Sequence, residues 1–261
     1  MKKILILLFV CTTGFLYAQE KTPKKPEYVV IIDGELADRA KVDGYAKQGR
    51  VKSMAKGVSE EERDALAKKF GDKIGEKEFI VIVSLHPVSE AKTVQAAAEP
   101  ENAVSKNSVM ADGFKVQVND PAKAFAVQMI DGKKINLADL KGKVVLLNFW
   151  ATWCAPCLME FYEVPSKILK PFKNENFVFI PVSIGEAREK VEKKMSKLKN
   201  DGIDFNAGID PEQTIFDQYA SSPIPKNILI DQNGVIRFIS SGNTEGNLDR
   251  IAAEIRNVLA K

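Results

Sequence analysis

Short apolar runs recur along the chain and set its plan. Tyr28–Gly34, Glu78–Leu85, Val144–Phe149 and Phe177–Ile184 are each too brief for a surface helix and rich in β-branched or aromatic residues. Such runs predict buried strands. Gly49–Ala55 is a weaker strand candidate. Ser59-Glu-Glu-Glu62 reads as a capping box ahead of Ala65, Leu66 and Phe70 on one helical face, with Gly71 as the stop. The pattern over 28–86 is therefore a β-β-α-β unit, close to the lower size limit for independent folding.

Residues 87–113 lose almost all large apolar side chains, and their Ala-, Glu-, Ser- and Asn-rich composition with Pro87 and Pro100 predicts a flexible linker. Beyond it, Phe114-Lys-Val-Gln-Val118 alternates like an edge strand. Asp131-Gly132 signals a hairpin, and Leu137–Leu140 a helical turn. After Cys157 the pattern turns helical through Leu158, Met159, Phe161 and Tyr162, until Pro165 kinks it. Val191, Met195 and Leu198 share one face of an amphipathic helix. Asp210-Pro-Glu-Gln213 predicts a helix start, with Asp210 as cap and Pro211 in the first turn. Asn227–Asp231 and Val235–Ile239 flank a Gln-Asn-Gly hairpin, and Leu248, Ile251, Ile255 and Val258 line a final helix. The order over 114–261 predicts an α/β fold, a mixed sheet with helices on both faces and an N-terminal hairpin extension.

Composition narrows the setting. Of 261 residues, 45% are hydrophobic and 28% charged, ordinary globular values, and the net charge of +3 is too small to argue for nucleic acid or a membrane surface, so no nucleic-acid partner is expected. Lys2 and Lys3, the apolar stretch Ile4–Val10 and a small residue at Ala18 have the layout of a secretory signal over 1–18. A Lys/Pro-rich tether, 19–27, follows. A membrane anchor fits less well, because the apolar span is shorter than a bilayer needs. Val10 is a poor residue before a lipid-modified Cys11. The expected location is periplasmic or otherwise extracytoplasmic. Removing 1–18 removes Cys11 and leaves one cysteine pair, Cys154 and Cys157. An oxidising compartment would favour further structural bridges, so their absence points to a working dithiol.

That pair sits where the strand Val144–Phe149 runs into a helix, with Pro156 suited to the first helical turn. A thiolate at a helix start faces unpaired N–H groups and has a lowered pKa. With two residues between them, the second sulfur can resolve a mixed disulfide made by the first. Cys154 is thus expected to be an exposed nucleophile and Cys157 the resolving thiol, with no cofactor beyond their disulfide. Structural zinc needs four ligands, and the chain has only three cysteines and one histidine, His86. His86 reads as a surface or packing residue. Trp150 and Trp153 suit packing and a hydrophobic rim beside Cys154.

Phe-Trp-Ala-Thr-Trp-Cys-Ala-Pro-Cys, preceded by Gly-Lys-Val-Val-Leu-Leu-Asn, resembles the active-site signature of thioredoxin-fold TlpA/ResA-like thiol-disulfide oxidoreductases over roughly 114–261. The resemblance implies a thioredoxin-like fold and protein disulfides as substrates, with Trp153, Ala155 and Pro156 beside the client. It also implies a cis-proline that docks the client chain. Ile224-Pro225 matches that position, and Pro223 is the other candidate. Asn148 stands where classical thioredoxin has a proton-relaying aspartate, which an amide cannot replace. Glu160 resembles the glutamate of the TlpA/ResA group and is a candidate to manage the proton of Cys157. Ala155-Pro156 resembles reducing members, which draw electrons from a membrane donor, and cytochrome c maturation is one such setting. Val30-Ile-Ile-Asp-Gly34, Lys69-Phe-Gly71 and Phe79-Ile-Val-Ile82 are similar to an element of TonB-dependent receptor plug regions. That similarity implies a protein-contact module on an envelope partner. Other readings are an isomerase or chaperone with 28–86 holding a client or a dimer, a thiol peroxidase, and a non-enzymatic binding module with a redox switch. Peroxidase chemistry normally needs a threonine three residues before the reactive cysteine, whereas Thr152 is two before Cys154. A copper chaperone is not supported by the spacing.

Overall fold

The structure, a computed structural model, describes Pro23, Pro26 and residues 28–58, 60–75, 77, 79–87, 113–221, 223–242 and 246–260. The leader at 1–18, most of the tether, Ser59 and the linker from 88 to 112 lie outside the described residues. Among the described residues, no helix is long and apolar enough to cross a membrane.

The N-terminal unit is a four-stranded sheet with one helix on each face. β1 (Val29–Ile32) and β2 (Glu35–Ala37) form a hairpin across Asp33-Gly34, whose φ values are 47° and 80°. α1 (Arg39–Lys47) follows, its first turn capped by Asp38, which accepts from the Ala40 N–H at 2.9 Å. β3 (Val51–Lys56), α2 (Glu60–Phe70) and β4 (Ile80–Leu85) complete the sheet in the order β2-β1-β4-β3. Val42 of α1 packs with Val30, Ile32, Val81 and Val83 on one face, while Leu66 and Phe70 of α2 pack with Ile31, Ile74 and Ile80 on the other. The unit is therefore β-β-α-β-α-β rather than the expected β-β-α-β. Asp33-Gly34 is a hairpin turn and not only a strand end. α1 escaped detection because it has Gly44 at its centre and only a narrow apolar face.

The second unit is a seven-stranded mixed sheet. Its strands are β5 (Ala126–Met129), β6 (Lys134–Asn136), β7 (Val144–Trp150), β8 (Phe177–Ile184), β9 (Gly208–Asp210), β10 (Lys226–Ile230) and β11 (Ile236–Ser241). They lie in the order β11-β10-β7-β8-β9-β5-β6. β7 runs parallel to β8 and antiparallel to β10. The helices are α3 (Ala155–Phe161), α4 (Arg188–Asn200), α5 (Phe216–Tyr219) and α6 (Asn247–Leu259). The alternation of β7 divides the core. Val144, Leu146 and Trp150 face α3, α4 and α6, whereas Val145, Leu147 and Phe149 face α5 and the entry segment.

Most predicted elements stand where the pattern placed them, and two do not. Phe114–Val118 is not a strand. Phe114 and Val116 are buried, but the chain turns at Asn119 (φ 76°), where Asp120 accepts from the Gln117 N–H at 2.8 Å, and only isolated bridges such as Phe114 to Ala220 remain. Asp210 does not begin a helix at Pro211. It ends β9, a strand the pattern did not reveal, and its carboxylate reaches forward to accept from the N–H groups of Ile215 and Phe216, 2.9 and 2.8 Å away, at the start of α5. Pro165 does interrupt the helix, and residues 165–169 form a π-helical segment.

Candidate active site

β7 delivers the site. All seven of its residues are buried between two layers, so its C-terminal end is fixed, and the chain leaves it through Ala151-Thr-Trp to place Cys154 at the N-cap of α3. Cys154 and Cys157 are joined as a disulfide with Cα atoms 5.3 Å apart. The Cys157 N–H points at Cys154 Sγ from 3.2 Å, and the Ile224 carbonyl oxygen lies 3.8 Å from the same sulfur. The Ile224–Pro225 peptide bond is cis, Pro225 is buried and Pro223 is exposed. The cis bond thus falls at Pro225, between the two prolines the sequence left open.

Glu160 lies one turn beyond Cys157, fully enclosed beneath the sheet face. Asn148 of β7 donates to its Oε1 at 3.0 Å, and Asn227 of β10 donates to Oε1 and Oε2 at 3.2 and 3.3 Å. Asn148 and Asn227 are cross-strand partners, so one pair of facing amides grips the carboxyl group. Burial pushes the Glu160 pKa from 4.5 up to about 7, against the opposing pull of hydrogen bonds from Asn227, Asn247 and Asn148. The group is therefore divided between its two protonation states near neutral pH. Asn148 cannot itself carry a proton, but it holds the residue that can. Its Oδ1 is buried without a hydrogen-bond partner, an acceptor within the same polar cluster.

A second carboxylate shapes the approach to Cys154. Glu186, just past the end of β8, accepts from the Thr152 N–H at 2.7 Å, from the Thr152 hydroxyl and from the Ser183 hydroxyl at 2.8 Å. It is only 5% exposed. Three donors on one carboxylate pin the turn between β7 and α3, and with it the position of the first sulfur.

Sequence comparison fits this geometry. The AhpC/TSA family profile matches residues 118–239. The thiol-disulfide oxidoreductase ResA of Bacillus subtilis (strain 168) is 35% identical over 140 residues, covering 53% of this chain and 76% of that protein. The ResA of Geobacillus thermodenitrificans is 32% identical over 127 residues, 49% of this chain and 71% of that one. The chain belongs to the ResA family of thiol-disulfide oxidoreductases. Solved structures agree on the fold of the second unit. A putative protein disulfide isomerase from Bacteroides thetaiotaomicron superposes with a TM-score of 0.53 at 31% identity, covering 57% of this chain and 94% of that one. A putative thiol:disulfide interchange protein DsbE from Chlorobium tepidum gives 0.51 at 25% identity, covering 56% and 99%.

Against the family signature, the expected residues fall into three groups. Cys154, Cys157, Ile224 and Pro225 converge on one point, and Glu160 lies one turn behind it. Trp153 is 59% exposed and forms a rim, and Pro156 is half-buried. Cys154 and Ala155 depart from expectation. They are 4% and 2% exposed, so the first sulfur is not the open nucleophile predicted. Gly57 of the N-terminal unit lies against Ala155 and the Trp153 carbonyl, which accounts for the covering of Ala155. Sequence reasoning missed Glu186, Asn227 and Asn247. A polar residue at the carboxyl end of a parallel strand beside the active-site strand was the available signal for Glu186.

Proposed function

We propose that this ResA-family enzyme works outside the cytoplasm as a reductant of protein disulfides. Cys154 attacks the client disulfide, a mixed disulfide forms, and Cys157 displaces it to release the reduced client and regenerate the Cys154–Cys157 bond. Two electrons pass to the client and must be replaced by a donor on the membrane side, in a setting such as cytochrome c maturation. Glu160 takes or gives the proton of Cys157, and Trp153, Ala155, Pro156, Ile224 and Pro225 form the surface on which the client chain lies.

The surroundings of Cys154 Sγ carry the choice of direction. The Cys157 backbone N–H faces it, together with the Ile224 carbonyl oxygen, and neither neighbour within the motif, Ala155 or Pro156, has a side-chain donor. A weakly stabilised thiolate makes the dithiol form unfavourable and the couple reducing. The extracytoplasmic placement is supported by the signal-like residues 1–18 and by a cysteine set that shrinks to the active pair once they are removed. Redox equilibration of the purified protein with glutathione or dithiothreitol buffers tests the direction. A potential near about −270 mV is expected, and one near about −120 mV would make the enzyme an oxidant. A Cys157→Ser variant should accumulate the mixed disulfide with its client.

The likeness to a putative protein disulfide isomerase gives a second reading, in which reduced Cys154 reshuffles client bonds. Recovery of scrambled ribonuclease by the reduced protein distinguishes that activity from net reduction.

A further inference from the structure

The N-terminal unit does not stand apart from the redox site. Gly57, at the end of β3, is so close to the motif that a Cβ built on it would lie 3.0 Å from Ala155 Cβ, 3.4 Å from the Ala155 nitrogen and 3.6 Å from the Trp153 carbonyl oxygen. Its φ of 95° also demands glycine. The Gly57 N–H is held by the Ile80 carbonyl at 2.8 Å, so the sheet itself presents this residue to the site. One position before Ile80, the Phe79 ring leaves its own unit's two clusters and joins the core around α3. It packs edge-on against Tyr162, with ring centroids 6.0 Å apart, and also edge-on against Tyr28 at 6.3 Å.

Ala155 opens α3 and Tyr162 follows its last residue, so the two contacts are about 10 Å apart along the helix. Two separated contacts fix the orientation of the unit as well as its presence. In the client surface proposed above, the client chain lies along Trp153 and Ala155, and Gly57 lies against both.

We propose that residues 28–86 are the selectivity element of the redox site: docked through Gly57 and Phe79, they hold protein disulfides away from Cys154 until the unit leaves α3. The proposal goes beyond the direction of electron flow and rests only on the thiol-disulfide exchange of the family. It holds whether the enzyme reduces or isomerises.

The test is a single turnover of the full chain, reduced beforehand with dithiothreitol and freed of excess reductant. In each turnover the Cys154 thiolate attacks one client sulfur and expels the other as a thiolate. Cys157 then closes the internal disulfide and releases the second client thiol. Rates are compared for insulin, as a protein disulfide, and for hydroxyethyl disulfide, as a small one. Phe79→Ala removes the ring on Tyr162 while leaving the unit's own clusters, and Gly57→Val adds a side chain where none fits. If the open form is about a tenth of the molecules, releasing it raises the insulin rate about tenfold. The hydroxyethyl disulfide rate should change less than about twofold, because sulfur reactivity is untouched. An insulin rate that is unchanged or lower in Phe79→Ala overturns the proposal, and so does an equal rise for both substrates. If Gly57→Val unfolds the small unit, its insulin rate must still rise, since Ala155 and the Trp153 carbonyl are then uncovered.

Discussion

The side-chain amide of Asn227, two residues beyond Pro225, donates to both carboxylate oxygens of Glu160 at 3.2 and 3.3 Å. The strand that starts directly after the cis-proline is thereby wired to the buried acid beneath the cysteine pair. Asn227 thus ties the position of β10 to the proton affinity of Glu160.

Glu160 should make the oxidised protein less stable as pH rises. Its pKa is raised from 4.5 to about 7, so between those values the native state holds a proton that the unfolded chain has released. The stabilising contribution is full below the unfolded value and lost as pH climbs through the folded one, an effect on the order of 3 kcal/mol at most. Melting temperatures measured from about pH 5 to about pH 8 should fall, and Glu160→Gln should flatten the trend. A wild-type profile that rises across this window, and does so equally in Glu160→Gln, contradicts the assignment.

Replacing Asn227 by Leu removes donors that favour the ionised carboxylate. The Glu160 midpoint should then move upward from about 7, by roughly one unit. Carbon-13 NMR of the labelled carboxyl group reads this directly, and a midpoint that stays put or falls shows that the amide does not tune the acid.

Glu186→Gln converts one accepting oxygen into a donor that faces donors at Thr152 and Ser183. Losing a charge-assisted bond in a buried place should cost about 2 kcal/mol. The turn before Cys154 should loosen, so exchange with any disulfide slows while Cys154 and Cys157 remain present. Chemical denaturation and thiol-reactivity kinetics on the same sample check both parts.

Gly208 of β9 has no room for a side chain, since a Cβ there would sit 2.5 Å from Val127 Cγ2 and 3.3 Å from the Met129 sulfur. Gly208→Ala should destabilise the domain by about 1–3 kcal/mol through overpacking. A shifted denaturation midpoint with an unchanged m-value is the expected result.

Local chemistry explains what could be read from the linear chain. A seven-residue strand buried on both faces, a helix starting at two cysteines and a glutamate one turn later all depend on near neighbours, so spacing and residue type sufficed. The hairpins at Asp131-Gly132 and Asn233-Gly234 were equally legible, because positive-φ glycines dictate them. α1 and β9 were not, since neither has enough apolar residues for its period to show. The amide grip on Glu160 joins β7, α3, β10 and α6, and Glu186 acts on a turn 34 positions away. Such contacts depend on which strands neighbour one another, and no local pattern encodes that.

The sequence by itself determined a reversible disulfide at a strand-to-helix junction within an α/β fold, because those features arise from short-range sterics and hydrophobic period. Only the tertiary structure decided that burial lifts the acid beneath the pair to about 7, against the pull of three amides, and that a glycine from the N-terminal unit lies across the first cysteine's neighbours. Burial and close approach belong to surfaces brought together by folding, and a residue separated from its partner by about a hundred positions leaves no trace of that meeting in the order of the chain.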